Sequence, residues 1–190
     1  MNLELTELSK KVYQLQIDKG WCKPNEKRDI EDLKILILSE AFEAFEAFRG
    51  GKYTNPNNLH VLKAELGIYD ELTDSNHKKE VLNGFKEFVK DTFEDEIADV
   101  AIRALDLAGY LGVSVSKFHE VLVVGDFPKD LIRLTELVAK TSKVGCFFAN
   151  SVLRWCYTQS IHHKFDLMLH IELKLAYNKT RAFRHGGKVV

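Results

Sequence analysis

Apolar residues recur at helical spacing along almost the whole chain, and the strict alternation that marks a strand is nearly absent. Leu5, Leu8, Val12, Leu15 and Ile17 predict a first helix over 3–19, ended by Gly20. After the loop Trp21-Cys22-Lys23-Pro24-Asn25, a second helix starts near Asp29 or Glu31 and stops at Gly50-Gly51. A turn at Asn55-Pro56-Asn57-Asn58 precedes a candidate helix from Leu59 to Leu72. Asp74 or Ser75 then caps another that carries Val81, Leu82, Phe85 and Phe88. At Asp91-Thr92-Phe93-Glu94 either Thr92 with Asp95 or Asp91 with Glu94 forms a cap, opening a helix that runs to about Leu111. Val113 to Val124 is apolar but of open type, and Gly125-Asp126-Phe127-Pro128 is a break. Helical patterns then fill 129–144, 146–162 and 164–183, and a tail, His185 to Val190, ends the chain. The pattern predicts one all-α domain, an antiparallel helical bundle.

The second helix has an unusual distribution of polarity. Glu40 and Glu43 lie within about 60° of each other on one face, together with Leu33, Leu36, Ile37, Ala44 and Ala47. Ile35, Leu38, Phe42 and Phe45 cover the other side. A helix apolar nearly all round predicts a central, buried position, so two carboxylates stand where a core would take Leu or Ala. Buried carboxylates must be paired, protonated or metal-bound; the competing reading is a wet groove lined with salt bridges. A second pair, Glu96 and Asp99, repeats the three-residue spacing on another apolar helix, with Arg103 and Asp106 continuing its face. Laid antiparallel, the two helices would gather four carboxylates. Oxygen-ligated divalent cations relieve the repulsion, and Mg²⁺ suits such a site because it accepts carboxylates, waters and substrate phosphates. Zinc fits less well, with no Cys or His near either pair in sequence. A di-iron centre wants Glu-x-x-His twice, and no Glu here has a His three residues later.

The remaining composition narrows the class. With 190 residues, 45% of them hydrophobic, and a formal net charge of -1, the chain has material for a core and lacks the basic excess of a general nucleic-acid binder. No apolar run approaches the ~20 residues of a membrane span, and the acidic start Met1-Asn2-Leu3-Glu4-Leu5 does not read as a signal peptide. Cys22, Cys146 and Cys156 lack metal-ligand spacing and read as reduced core thiols of a cytoplasmic protein.

The two acidic pairs, with Lys174-Leu175-Ala176-Tyr177-Asn178-Lys179-Thr180-Arg181 and the tail His185-Gly186-Gly187-Lys188, resemble the MazG-like all-α nucleoside triphosphate pyrophosphohydrolases. The resemblance covers about half the chain. It departs from the family at Ser39, where an acidic residue usually opens the first motif, and in the long separation of Glu43 from Glu96. Residues 53–91 and about 119–162 are therefore read as insertions.

The resemblance implies Mg²⁺-dependent cleavage of a nucleoside triphosphate to monophosphate and pyrophosphate, with Mn²⁺ as a possible substitute. Glu40, Glu43, Glu96 and Asp99 would hold metal, with Glu43 as the catalytic base and Arg103 and Asp106 in support. Lys174, Asn178 and Arg181 would position phosphates, since Arg grips phosphate as a fork and Lys as a point charge; a solvated basic face near a helix end is the competing reading. Trp21 would stack on a nucleobase, against ordinary packing. The tail would fold over the substrate or trail as a free end. A homodimer or dimer of dimers is implied, and partners other than nucleotide, such as nucleic acid or membrane, are not. A non-enzymatic helical interaction protein and an inactive nucleotide-binding relative are the alternatives.

Overall fold

The computed structural model describes residues 2–59, 62, 75–116 and 125–184. Most of the Leu59–Leu72 and Val113–Val124 segments and the tail from His185 lie outside the described residues. Among the described residues seven helices are delimited, α1 (Asn2–Asp18), α2 (Ile30–Arg49), α3 (Ser75–Phe88), α4 (Phe93–Leu111), α5 (Phe127–Lys140), α6 (Cys146–His163) and α7 (Leu167–Thr180), and residues 56–59 are helical as well; of the three thiols expected in the core, Cys22 and Cys156 are buried and Cys146 is exposed. Among the described residues there is no strand, and no helix is long and apolar enough to cross a membrane.

Short polar side chains set the helix starts. Asp29 Oδ1 accepts the Glu31 amide at 2.8 Å, Thr92 Oγ1 the Asp95 amide at 3.4 Å, and Asp166 Oδ1 the Leu169 amide at 3.1 Å. Asp126 caps α5, with Pro128 in its first turn, so the expected break at 125–128 is in fact the start of that helix. The last helix is shorter than the predicted 164–183 because Lys164 adopts a left-handed conformation that closes α6, and Asp166 opens α7 afresh.

The central position belongs to α4, not to α2 as the sequence predicts. Fourteen of the nineteen residues of α4 are buried, against six of twenty in α2. Helix α2 packs through the small side chains Ala41, Ala44 and Ala47 with Leu33 and Ile37, whereas Ile35 is 62% and Phe42 48% exposed. Small residues on the contact face let the two backbones approach; Phe42 is turned outward, whereas Phe45 and Phe48 pack against the core, Phe48 beside Phe93 and Phe127. The pairs Arg28–Asp106 and Glu40–Arg103 run in opposite directions along α2 and α4, so the two helices are antiparallel.

Helix α1 lies against the other end of α4, where Gly109 makes the closest approach. A Cβ there would stand 2.3 Å from the Ser9 carbonyl oxygen and 2.8 Å from Tyr13 Cβ. Alanine is ordinarily favoured over glycine inside a helix by about 0.5–1 kcal/mol. Here the obstacle is backbone, and Gly109→Ala is expected to lower stability by about 1–3 kcal/mol in urea unfolding.

His170, on α7, is fully buried with the Phe165 ring edge-on, and neither of its ring nitrogens has a hydrogen-bond partner among the described residues. Burial pushes its imidazole down to about 4. Above the ordinary value of 6.5 the ring is neutral in both folded and unfolded chains. As the pH falls from 6.5 toward 4, the unfolded chain takes up a proton that the folded one refuses, so stability is lost. His170→Leu removes that loss. Its thermal midpoint is expected to rise relative to the native protein more at pH 5 than at pH 7.5, by the equivalent of about 2 kcal/mol.

Candidate metal centre

Carboxylate oxygens of Glu40 and Glu43 on α2 and Glu96 on α4 lie within 4.8 Å of one another. Asp91, Asp95 and Glu96 form a second such group, so Glu96 is common to both. Glu40, Glu43, Asp91 and Glu96 open onto a cavity of about 250 Å³ that Asp99, Arg103, Lys174, Asn178, Arg181 and Trp21 also line.

The second pair on α4 divides between two roles. Glu96 is buried and faces Glu40 and Glu43, while Asp99 turns toward α7, where its Oδ2 is 2.6 Å from Lys174 Nζ. Lys174 also donates to Asp95 Oδ2 at 2.7 Å. Its ammonium group is buried between two carboxylates, an engagement different from the free phosphate contact the sequence implies. Arg103 directs Nε at 2.9 Å and Nη2 at 2.7 Å onto the same oxygen, Glu40 Oε1. That fixes the Glu40 carboxylate by one oxygen. Asp106 is further from the cluster in function: it receives a fork from Arg28, with both contacts at 2.9 Å, beneath the loop that carries Trp21.

The remaining predicted residues stand on the cavity wall. Asn178 Oδ1 is buried with no hydrogen-bond partner. The Arg181 guanidinium lies over the Tyr177 ring at 5.7 Å. Lys19 closes the end of α7, its ammonium donating to the Lys179 and Arg181 carbonyl oxygens at 2.7 and 2.8 Å. The cavity therefore has an acidic floor and a wall of cationic and amide groups.

The acidic floor resists full ionisation. Burial, then the charges of Asp99 and Asp95, push the Glu96 carboxyl up to about 9. Burial pushes Asp95 up to about 7 against the pull of Lys174. Burial alone would lower the Lys174 ammonium, but Asp99 and Asp95 outweigh it and hold it above its ordinary value. Asp95 Oδ1 is buried without a hydrogen-bond partner. This set of hard oxygen donors suits a small divalent cation, whose charge would let Glu96 ionise.

Asp91 and Asp95 escaped the sequence reading because the Thr92 cap pattern accounted for them. The cap in fact uses the Asp95 amide and leaves its carboxylate for Lys174 and for the Asp91 amide, which donates to Oδ2 at 3.0 Å. Their spacing, one helical turn apart and overlapping the Glu96 motif, was the available signal.

Compared with protein-family models, with curated proteins and with solved structures, the chain matches none.

Proposed function

We propose that this protein is a Mg²⁺-dependent nucleoside triphosphate pyrophosphohydrolase of the MazG-like kind. The observation that carries the reading is the convergence of Glu40, Glu43 and Glu96 from two helices at a cavity walled by Asn178 and Arg181. Acidic floor and cationic wall together match the two halves of a metal–triphosphate complex.

Glu40, Glu43 and Glu96 would hold the cation, and Asp99 is oriented beside them by Lys174. Mg²⁺, or Mn²⁺ in its place, would supply charge at the phosphate oxygens and lower the pKa of a bound water. Arg103 keeps Glu40 in one orientation through its two contacts with Oε1. Arg181 and the Asn178 side chain grip the phosphates, and Trp21 packs against the base. Glu43, the exposed member of the three, accepts a proton from water as that oxygen bonds to the α-phosphorus. The bond from the α-phosphorus to the bridging oxygen breaks, and that oxygen leaves with pyrophosphate. Lys174 is a positioning residue in this scheme, since its ammonium is committed to Asp95 and Asp99.

The test is pyrophosphate release from a panel of ribo- and deoxyribonucleoside triphosphates, normal and modified, with Mg²⁺ or with EDTA. Mg²⁺-dependent release that Glu43→Gln abolishes is the expected result. Thermal stabilisation by Mg²⁺-nucleotide without turnover would instead identify an inactive nucleotide-binding relative. Neither turnover nor stabilisation would leave a helical interaction protein.

A further inference from the structure

The two peptide units that lead into Trp21 are held on both edges. Gly20 takes a left-handed conformation at the end of α1, and the Gly20 and Trp21 amides turn back onto the Ile17 and Gln16 carbonyl oxygens, at 2.9 and 3.0 Å. The opposite edges of the same planar units carry the Lys19 and Gly20 carbonyl oxygens. One residue far along the chain takes both: the Arg184 amide donates to the Lys19 oxygen at 3.0 Å, and Arg184 Nε to the Gly20 oxygen at 2.9 Å. The Phe183 ring lies against Gly20, where a Cβ would stand 1.9 Å from its Cζ.

This segment is placed by the turn it covers. Phe183 is 65% exposed, and Arg184 holds φ at +47°, a left-handed conformation that disfavours a residue with a Cβ. Its contacts with the turn before Trp21 offset that conformation. The fastening is reciprocal, because Lys19 from the same turn donates to the Lys179 and Arg181 carbonyl oxygens beyond the cavity wall. Trp21 and Arg181 both line the cavity. The turn 19–21 and the segment 181–184 therefore fix the spacing between these two side chains.

We propose that Phe183 and Arg184 are positioning residues for ligand binding: strapped across the 19–20 turn, they hold Trp21 at the distance from Arg181 that a nucleoside triphosphate spans, base on Trp21 and phosphates at Arg181. The ligand class rests on the hydrolase reading; the strap itself does not. Neither Phe183 nor Arg184 lines the cavity, so their loss leaves the acidic floor in place.

Two measurements on the full chain test the strap and that reading separately. The first is acrylamide quenching of tryptophan fluorescence without metal or nucleotide. The chain has two tryptophans and Trp155 is 4% exposed, so collisional quenching reports chiefly Trp21. Phe183→Ala and Arg184→Ala are each expected to raise the quenching constant about twofold, as the turn opens locally. Their thermal midpoints are expected to stay within ~2 °C of the native protein, since both side chains are at the surface. Phe183→Tyr keeps the ring and is expected to quench as the native protein does.

The second is steady-state kinetics with Mg²⁺ and the best-cleaved triphosphate of the panel. Phe183→Ala is expected to raise KM about tenfold with kcat within about twofold, the mark of binding lost equally from ground and transition states. Phe183→Tyr is expected to restore the native KM. If no triphosphate is cleaved, the hydrolase reading falls and quenching alone decides whether the strap holds Trp21. The inference is overturned if the alanine variants quench as the native protein does, if they quench more while KM is unchanged, or if kcat falls in place of a rise in KM.

Discussion

Glu96→Gln is expected to abolish Mg²⁺-dependent hydrolysis and, in the same molecule, to make the metal-free protein more stable. The two effects have one origin. Glu96 is buried and surrounded by Asp99, Asp95 and Glu43, so its carboxyl is pushed from 4.5 up to about 9. Between those values the folded chain holds a proton that the unfolded chain releases, so stability falls as the pH rises through that window. At pH 7 the accumulated loss is on the order of 3 kcal/mol. The neutral amide does not incur it. Equilibrium unfolding in EDTA is therefore expected to show Glu96→Gln more stable than the native protein at pH 7, with the difference gone near pH 4.5. Added Mg²⁺ is expected to reverse the order, because on the proposed function the ion would need the Glu96 carboxylate, and ligand binding to the folded state alone is stabilising. For turnover the expected loss is about three orders of magnitude, since a metal ion stabilising the transition state by about 4 kcal/mol accounts for that much. A variant that hydrolyses at the native rate, or that is still stabilised by Mg²⁺ as the native protein is, would remove Glu96 from the metal site.

Helix positions were legible because each has a local cause. Gly20 and Gly112 take left-handed conformations at the ends of α1 and α4, and Asp29 and Thr92 cap the starts of α2 and α4. The convergence of Glu40, Glu43 and Glu96 was legible as well, because spacing fixes which side chains share a face. Spacing does not say which face meets which neighbour. Both helices read as apolar, the central place was given to α2, and only packing decides between them. The alanines of α2 allow close approach on one side, while Ile35 and Phe42 are left outside. The division of the second acidic pair was hidden for the same reason. Glu96 and Asp99 are equivalent in sequence, but the arrival of Lys174 from α7, far along the chain, engages Asp99 in an ion pair that it shares with Asp95. Long-range ion pairs such as Arg28–Asp106 and Arg103–Glu40 leave no periodic trace at all.

Lys174→Met is expected to be the most destabilising single change at the site, and its pH dependence separates a structural cation from a phosphate ligand. Lys174 is 6% and Asp95 0% exposed, and the ammonium is the only cation that the hydrogen bonds and ion pairs of the described residues give to Asp95 and Asp99. Removing one member of a buried ionic group leaves uncompensated charge and costs about 3–5 kcal/mol. In the native protein Asp99 and Asp95 hold the Lys174 ammonium above its ordinary 10.5 despite burial, so its contribution is fully present below 10.5. In the variant, Asp95 and Asp99 lose that counter-charge and bind protons more tightly when folded than when unfolded. The deficit should then be smallest at pH 5, where the carboxyls are neutral, and largest at pH 9. Thermal midpoints at pH 5, 7 and 9 read this directly. Adding Asp95→Asn to Lys174→Met is expected to recover part of the loss, because one of the stranded charges is gone. A midpoint unchanged at pH 9, with only KM for nucleotide raised, would mean that Lys174 meets the phosphates and that its pairing with Asp95 and Asp99 contributes little.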